Sequence, residues 1–539
     1  MTAQAGLWDG VDIGHALSMF LPMIVLIGTM LCVVACPIIF GRGARKIGAI
    51  VVLGIVVAFW ACVRLSATVP DGGFSGLSPG GGAGMLIADN LSIFFQFVLL
   101  AFMAGVVWLW WMGSAATEEN APEFFILLLG GALGMVLMVS TTHLLMILIA
   151  IETASLPSYA IVGFDKRDRL GAEASLKYMI FGAVCAAIML YGMSLLYGLT
   201  GSLDVVGIAK YVAAEISGHD RVVLTLGLLC FLAGILFKIS AVPFHFWCPD
   251  AFEGAKIEVT TWLSVASKAA GLILLMRLVV VFCGALGHPA YITTLAPMAW
   301  TIAIVAALTC TVGNFAAYSQ TSVKRLLAYS SIAHAGYMMM AAAIFLHPDV
   351  AGSELRISAL LIYVVIYMFM NLGAFGVTAM VVWETGSDQI GNFTGLIRRA
   401  PWLAIPMVVC LVSLVGLPPF AGFIGKWWIL VALGSLKGTQ LGWFLVIVAV
   451  INTLISLYYY MRIVLQMSLK DDKQPALAPP IGGMALVNIC AIALVALLVF
   501  AHPLKSGVDA FSRKTFVAIA TPQQTNAVTL HDASDPDAP

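Results

Sequence analysis

Long apolar runs recur along most of the chain and are separated by short polar segments. Each run holds about 20 or more mostly apolar residues, the length that a helix needs to cross ~30 Å of hydrocarbon. The runs lie approximately at residues 16–40, 47–66, 85–112, 122–140, 142–163, 172–200, 222–256, 257–284, 291–315, 323–347, 356–384, 401–436, 441–469 and 481–502. This pattern predicts an all-α integral membrane protein with about fourteen transmembrane helices.

The seventh and twelfth runs are interrupted by proline, at Pro243 and at the pair Pro418 and Pro419. Proline removes a backbone donor and clashes with the carbonyl four residues earlier, so we expect Pro243 to free carbonyl groups near Ile239. Unpaired backbone at that depth is tolerated only where it faces protein or water. The pattern therefore predicts a break that is open to water, with a simple packing kink as the alternative.

Broken helices in corresponding places indicate internal repeats with a working site at mid-membrane. With five helices per unit, we expect two inverted repeats, made of helices 4–8 and helices 9–13. The predicted organisation has helices 1–3 in residues 1–115, the two repeats in 116–285 and 286–470, helix 14 in 471–505 and a short polar tail in 506–539. The tail is rich in Asp, Thr, Gln and Pro, so we expect it to be poorly ordered.

Composition narrows the possible functions. The chain is 61% apolar and 10% charged, with a mean hydropathy of +1.01, so it has too few polar residues to cover a soluble globule. The net charge is zero and no basic stretch indicates a nucleic-acid partner. The ten cysteines are scattered without a Cys-x-x-Cys pair, and no Gly-x-Gly-x-x-Gly motif opens a soluble unit. We therefore expect no cofactor and no metal in this chain.

Four ionisable residues lie far from both ends of their predicted helices: Glu152, Lys238, Lys268 and Lys426. At ~1.5 Å of rise per residue, none reaches the headgroup layer easily, so all four should lie near one plane. An ionised group at that depth costs about 2.5–3.5 kcal/mol on insertion scales. Four such residues are difficult to explain in a purely structural protein.

Two interpretations of these charges remain open. They form ion pairs that only fix helix packing, or they form a line of titratable groups that carries protons across the bundle. Burial disfavours a charged form and an opposite charge favours it, so groups in such a line exchange protons near neutral pH. His334, in the stretch YSSIAHAGYMMM, is either a hydrogen-bonded packing residue or a further relay. We favour the proton path, because three lysines and a glutamate share a similar depth.

Basic residues indicate the orientation of the bundle. Lys and Arg are more frequent in the loops on one side, for example at Arg45, Lys166, Lys324 and Arg398. Because basic loops stay on the cytoplasmic side of a membrane, this bias predicts that both termini lie outside.

Several long stretches match one known family in order: FKISAVPFHFWCPDAFEGA, LSVASKAAG, SVKRLLAYSSIAHAGYMM, GLPPFAGFIGKW and LYYYMR. They closely resemble the N subunits of bacterial NADH:quinone oxidoreductase, the counterparts of subunit 2 of mitochondrial complex I. The resemblance covers most of helices 4–13. It implies a membrane-arm subunit that translocates protons while quinone is reduced elsewhere in the complex.

The resemblance also implies roles for single residues. Matched position by position, Glu152, Lys238, Lys268 and Lys426 correspond to the family's charged residues in helices 5, 7, 8 and 12. Glu152 and Lys238 would form an ion pair that shifts the proton affinity of the lysine. The proton would then move through Lys268 and bound water towards Lys426 and the outside.

The complex that the resemblance implies has its cofactors elsewhere. NADH, FMN, iron–sulfur clusters and quinone would be bound by other subunits, with no redox centre in this chain. The expected partners are other membrane-arm subunits, notably those of the M, K and J types, together with the lipid bilayer. The expected location is the bacterial inner membrane.

Related families resemble the chain more distantly. The L and M subunits and the Mrp-type cation/proton antiporters typically have a Phe-Pro-Leu-His signature and a histidine in the following helix, where this chain has VPFH and Lys268. The N type is therefore favoured, with an Mrp-type antiporter subunit or another related membrane-bound oxidoreductase as the alternative. One departure concerns the start of the eighth helix, where the family commonly has Pro-Thr-Pro-Val and this chain reads KIEV. Because of the additional Lys256 and Glu258, the resemblance does not define the geometry of the inner entry in this chain, whereas the central residues are unaffected.

Overall fold

The computed structural model describes residues 13–41, 43–69, 74–76, 85–113, 120–213, 218–283, 290–346, 353–436, 439–469 and 477–520. Regular structure in these residues is almost entirely helical, apart from two paired antiparallel strands of three residues, β1 Phe74–Gly76 and β2 Leu86–Ala88. Thirteen of the described helical stretches are long and apolar enough to cross a membrane. The prediction of an all-α integral membrane protein is confirmed.

The helices are, in chain order, α1 Ile13–Met19, α2 Leu21–Phe40, α3 Ala44–Thr68, α4 Asn90–Met112, α5 Ala121–Val139, α6 Leu144–Val162, α7 Arg169–Thr200, α8 Val205–Ala213, α9 Gly218–Ile239, α10 Trp247–Gly254, α11 Ile257–Trp262, α12 Lys268–Cys283, α13 Ala290–Tyr318, α14 Val323–Ala343, α15 Ser353–Thr385, α16 Leu396–Arg399, α17 Pro401–Val415, α18 Ala421–Gly434, α19 Gln440–Leu469, α20 Ile481–Val499 and α21 Ala501–Ala520. A π-helical turn, Leu263–Ser267, joins α11 to α12, and together they form one span. The helices α17 and α18 are each too short to cross a bilayer alone. If α17 and α18 are counted together as one broken helix, the number of candidate membrane spans rises from thirteen to fourteen. The total of fourteen stays a prediction.

The loops collect at two ends of the bundle. At one end, the ammonium of Lys324 donates to the Ala255 carbonyl at 3.0 Å. We name this the basic end, because the sequence analysis assigns most of the loop lysines and arginines to this side; it is predicted to face the cytoplasm. At the opposite end, the N–H of Leu144 donates to the Leu203 carbonyl at 2.8 Å.

Three spans form the centre of the bundle. The most apolar window of Ile257–Cys283 is completely buried inside the chain, and the corresponding windows of Val323–Leu346 and Leu355–Thr385 are 94% and 89% buried. Lys268 and His334 lie on two of these spans. The fold therefore surrounds both residues with protein on all sides.

Both predicted breaks are present, and each begins with the same local structure. Helix α9 ends at Ile239 and the next residue, Ser240, has a φ of 64°; α17 ends at Val415 and Gly416 has a φ of 85°. In each case the left-handed residue donates its N–H three residues back, and the following residue donates five residues back. This is the Schellman motif, which stops each helix before its proline is reached.

Protein groups bind carbonyls that precede the first break. The Phe237 carbonyl accepts the N–H of Ser240 and the indole N–H of Trp247, the latter at 3.2 Å. The Lys238 carbonyl accepts the hydroxyl of Ser267 at 3.4 Å. The expectation that carbonyls here would be left for water is therefore wrong for these two, because donors from α10 and the π-turn replace the missing helical N–H groups.

The two broken helices run in opposite directions. Helix α9 comes from the opposite end and stops in the middle, and α10 continues to the basic end; α17 comes from the basic end, and α18 continues to the opposite end. This antiparallel relation is what an inverted repeat requires. It supports the proposed division into repeats, which stays a prediction.

The beginning of the predicted tail is helical. Residues 506–520 belong to α21, in which Val508 is 3% exposed and the Phe511 ring meets that of Phe94 edge-on at 5.7 Å. The hydroxyls of Ser512 and Ser358 form a hydrogen bond of 3.0 Å. The expectation of poor order was wrong for residues 506–512, because Val508 and Phe511 lie three residues apart on a helix face that packs on the bundle. Residues 521–539 lie outside the described part of the chain.

Candidate functional site

Lys238 lies in the last turn of α9 and is fully buried. Its ammonium donates to the hydroxyl of Ser155, on α6, at 3.2 Å. Glu152 precedes Ser155 by three residues, so both side chains lie on one flank of α6, and Glu152 is only partly buried. The described ion pairs do not join Glu152 to Lys238. The direct ion pair between Glu152 and Lys238 that the resemblance implies is therefore not formed in this structure. The hydroxyl of Ser155 accepts the hydrogen bond of the ammonium instead.

Lys268 is fully buried where the π-turn meets α12. Its ammonium lies 3.3 Å from the Sγ of Cys248 and 4.7 Å from the centre of the Phe252 ring. Both neighbours belong to α10. The ring face attracts the cation through its quadrupole, and the thiol is a weak acceptor. π-Turns within α-helices occur frequently at functional sites, and Lys268 directly follows this one.

The short helix α10 connects the environments of the first two lysines. Its Trp247 donates to the Phe237 carbonyl next to Lys238, and the Trp247 ring stacks on Tyr178 with ring centres 3.9 Å apart. The same ring lies 6.0 Å from the ammonium of Lys268. The Trp247 side chain thus contacts the backbone beside Lys238 and also lies near the ammonium of Lys268.

His334 is buried in α14 and both of its ring nitrogens have partners. Nδ1 lies 2.8 Å from the hydroxyl of Tyr363, and Nε2 lies 3.3 Å from the hydroxyl of Tyr460. The Tyr460 hydroxyl also forms a short hydrogen bond with the hydroxyl of Ser330. Tyrosine and serine hydroxyls both donate and accept, so this chain of contacts permits a relay as well as a packing role.

Lys426 lies on α18 and is 7% exposed. Its ammonium donates to the carbonyl of Val415, the last residue of α17, at 2.8 Å and lies 4.5 Å from the centre of the Tyr337 ring. Carbonyl groups at a helix C-terminus carry partial negative charge, which favours a cation there. Tyr337 follows His334 by three residues on α14, so His334 and Lys426 lie beside the same aromatic side chain.

A further buried polar network near this cluster was missed by the sequence analysis. The Asn314 amide donates to Oδ1 of Asn452 at 3.0 Å, and Tyr459 donates to Oδ1 of Asn314 at 2.9 Å. Asn452 in turn donates to the hydroxyl of Thr311 at 3.0 Å. Two asparagines within apolar runs are the signal that could have indicated it, because a side-chain amide in a membrane span needs a partner.

Ion pairs form a ladder at the basic end. Lys177 of α7 bridges Glu173 and Asp250, at 2.8 and 3.0 Å. Arg325 of α14 bridges Asp250, at 3.1 Å, and Glu253, in a shorter contact. Asp250 and Glu253 belong to α10. The ladder therefore ties α10 to α7 and α14.

One of the described ion pairs is buried inside the bundle. The guanidinium of Arg277, on α12, holds the carboxylate of Asp89 with two hydrogen bonds of 2.9 and 2.7 Å, and both side chains are at most 1% exposed. Asp89 also caps α4 by accepting the N–H of Ser92 at 2.9 Å. This pair connects two helices and lies outside the predicted line of charges.

The five predicted site residues form two clusters. The first contains Glu152, Lys238 and Lys268, and the second contains His334 and Lys426. The ring of Tyr367, on α15, packs against His334 with centres 5.2 Å apart. Among the described contacts, no hydrogen bond joins Lys268 directly to His334. Among the residues that the structure describes, no group of three or more His, Cys, Asp and Glu side chains is placed to hold a metal ion.

Comparison with known proteins gives consistent matches. A model of the family described as NADH:quinone oxidoreductase/Mrp antiporter, TM, matches residues 141–456, which include both clusters. NADH-quinone oxidoreductase subunit N of Anaeromyxobacter sp. (strain Fw109-5) is 39% identical over 432 residues, covering 76% of this chain and 81% of that protein.

Solved structures match over nearly the whole chain. A chain of respiratory complex I from Thermus thermophilus with bound aureothin is 30% identical with a TM-score of 0.72, covering 90% of this chain and 98% of its own. A chain of the Mrp complex from Dietzia sp. DQ12-45-1b has a TM-score of 0.78 at 17% identity, covering 96% and 100%. The second match shows a shared fold.

Fold and matches together define an antiporter-like, multi-pass membrane subunit. Within that class, the chain belongs to the N-subunit family of NADH-quinone oxidoreductase. The resemblance indicated by the sequence motifs is confirmed.

Proposed function

We propose that this chain translocates protons within an NADH:quinone oxidoreductase, driven by quinone reduction elsewhere in the complex. The observation that carries the proposal is how its three buried lysines are held. Lys238 donates to a hydroxyl, Lys268 lies beside a thiol and Lys426 donates to a backbone carbonyl. These neutral partners bind an ammonium less strongly than a carboxylate does, so each lysine can also exist as the neutral amine.

The pair of Arg277 and Asp89 is an internal standard for a structural charge. An arginine stays protonated in proteins, and here a carboxylate holds it bidentately. If the buried lysines only fixed helix packing, we would expect carboxylates at similar distances. None of the described ion pairs provides one, which favours the proton path over the packing role.

The proposed path follows the two clusters. Glu152 influences the charge on Lys238 through space, and the proton crosses α10 to Lys268. It then passes His334 and its two tyrosine partners to reach Lys426. In the proposal, water bridges the gaps between these groups, because a proton can be transferred through a single bridging water.

The relatives, which are NADH-quinone oxidoreductase subunits by name, support the proposal about the surrounding complex. In the proposal, NADH, FMN, iron–sulfur clusters and quinone are bound by other subunits, and this chain has no redox centre. Its neighbours are membrane-arm subunits of the M, K and J types. It lies in a bacterial inner membrane with both termini outside and the basic end in the cytoplasm.

The test is Lys238→Ala in membrane vesicles that contain the assembled complex. Proton uptake is followed with a pH-sensitive dye and electron transfer by quinone reduction. We expect at least a tenfold loss of proton uptake, because the first cluster loses its exchangeable site. Assembly with a normal proton-to-electron ratio and a normal rate would contradict the proposal.

A second candidate is a subunit of a cation/proton antiporter, favoured by the shared fold with the Mrp complex. In that case, vesicles with this protein would exchange sodium for protons without quinone reduction. Sodium-independent proton uptake that requires quinone reduction would exclude this candidate.

A further inference from the structure

A partly open cavity of about 280 Å³ lies at the basic end, between α6, α7, α11, α14 and α15. At ~30 Å³ per molecule it has room for on the order of ten waters. Its charged lining residues are Asp165, Asp168, Lys256, Glu258 and Lys324. A partly open cavity of this size that is lined by charged side chains favours bound water.

The charged residues follow a gradient of burial. Asp165 and Asp168 are exposed, Lys256 and Lys324 are intermediate, and Glu258 is only 4% exposed. Glu258 therefore forms the inner wall of the cavity and the other four form its rim. The positive charges of the two lysines partly offset the negative charges of the three acidic residues that line the same cavity.

A row of buried hydroxyls leads away from Glu258 along the same span. Thr261, Ser264 and Ser267 follow at intervals of three residues, so each lies beside the one before it on a row that winds around the helix, and none has exposed surface. Thr261 and Ser264 donate to helix carbonyls at 2.7 Å, which leaves their oxygens free to accept. Ser267 donates to the carbonyl of Lys238.

This row ends at Lys268. Ten residues separate Glu258 from Lys268, which corresponds to ~15 Å along the helix axis. Successive hydroxyls are ~4.5 Å apart in rise, a spacing that single waters can bridge. The arrangement joins a hydrated cavity to the centre of the first cluster.

We propose that Glu258 is the residue through which protons enter this chain from the aqueous phase at the basic end. Its carboxylate takes a proton from a hydronium ion that reaches the cavity, which leaves a water molecule, and becomes the neutral acid. It then passes the proton, through water bound between Thr261 and Ser264, to the neutral amine of Lys268, which becomes an ammonium. The inference rests on the proposed function, and it assigns the inlet to a residue outside the predicted line of charges.

A purely structural role for Glu258 predicts different behaviour. Glu258 lies in the first turn of α11, where a carboxylate stabilises the helix N-terminus. In that case its neutralisation would lower stability and leave turnover per assembled complex unchanged. An inlet residue affects the rate at which protons are supplied.

The experiment compares Glu258→Gln, Glu258→Asp and the control Glu384→Gln in vesicles with the assembled complex. Glu384 is an exposed carboxylate next to the cavity residue Trp383. We expect turnover per assembled complex to fall about tenfold in Glu258→Gln, with the proton-to-electron ratio retained. Glu258→Asp should keep at least half of the rate and Glu384→Gln all of it. Formate, a small weak acid, should partly restore the rate of Glu258→Gln.

Unchanged turnover in Glu258→Gln would overturn the proposal that Glu258 is the entry residue for protons. If this variant fails to assemble, the double variant Thr261→Val and Ser264→Ala tests the same path with Glu258 in place. A fall of about threefold or more supports the inlet, and an unchanged rate overturns it. Lys268→Ala separates the two hypotheses. If it abolishes proton uptake while Glu258→Gln is normal, only the inlet fails, and if Lys268→Ala pumps normally, the proposed function fails as well.

Discussion

The ammonium of Lys426 donates to the carbonyl oxygen of Val415, 2.8 Å away, and so closes the C-terminal end of the half-helix α17. The partial negative charge of that helix end stabilises the cation, and the cation satisfies a carbonyl that the break leaves without a helical donor. Charge and break therefore depend on each other. A lysine that gives up its proton also weakens the contact that closes the second break.

Lys426→Met should abolish both the exchangeable proton at this position and the contact that closes the end of α17. We expect proton uptake below about a tenth of the parent, and a lower melting temperature of the purified complex, since an unsatisfied buried carbonyl costs about 1–3 kcal/mol. Dye-based proton uptake and a thermal melt measure the two. Lys426→Arg is the matched control: it retains a cation but does not release its proton, so stability should recover without pumping. Normal pumping by the arginine variant would refute this role.

Cys248 should influence the turnover of the complex through its contact with Lys268. Removing its sulfur in Cys248→Ala leaves the ammonium without its closest partner, so we expect turnover to fall about three- to tenfold. Cys248→Ser supplies a hydroxyl at the same place and should stay near the parent. Quinone reduction per assembled complex is the measurement. Cys490→Ala, another buried cysteine, is the control, and equal rates for all three variants would contradict the prediction.

Asp89→Asn should damage assembly and leave the mechanism intact. It leaves Arg277 buried without its counter-charge, which costs about 3–5 kcal/mol. We expect less complex in the membrane, measured on native gels, with an unchanged proton-to-electron ratio in the complexes that form. The double variant Asp89→Leu and Arg277→Met should recover much of the loss. A changed ratio would show that this pair takes part in pumping.

Gly416→Ala should disturb the second break directly. The φ of 85° disfavours a side chain by about 1–2 kcal/mol, and an added Cβ would lie 2.7 Å from Cδ of Lys426. We therefore expect a loss of turnover of tenfold or more together with lower stability. Gly434→Ala is the control, because a Cβ there meets nothing within 4 Å. The idea fails if the two alanine variants behave alike.

The sequence was sufficient for the features that depend on single residues. An ionisable residue far inside an apolar run is visible without a structure, and so is a proline within it, which is why Lys238 and Pro243 could be singled out. The helix stop itself was less visible at the first break, because its left-handed residue is Ser240 and not glycine.

The partners of these residues could not be predicted in the same way. Ser155 and Lys238 are 83 residues apart in the chain, and their contact depends on how α6 packs against α9. The same holds for Cys248, which the sequence presents as one of ten similar apolar cysteines. Local pattern shows where a charge lies, whereas tertiary packing decides what it touches.

The eight-residue helix α10 meets two environments at once. Asp250 and Glu253 bind the cations of the ladder at the basic end, while Cys248 and Phe252 lie against Lys268. One short helix therefore contacts both the surface ion pairs and a fully buried lysine, so any rearrangement of those surface charges that displaced α10 would also change the surroundings of Lys268.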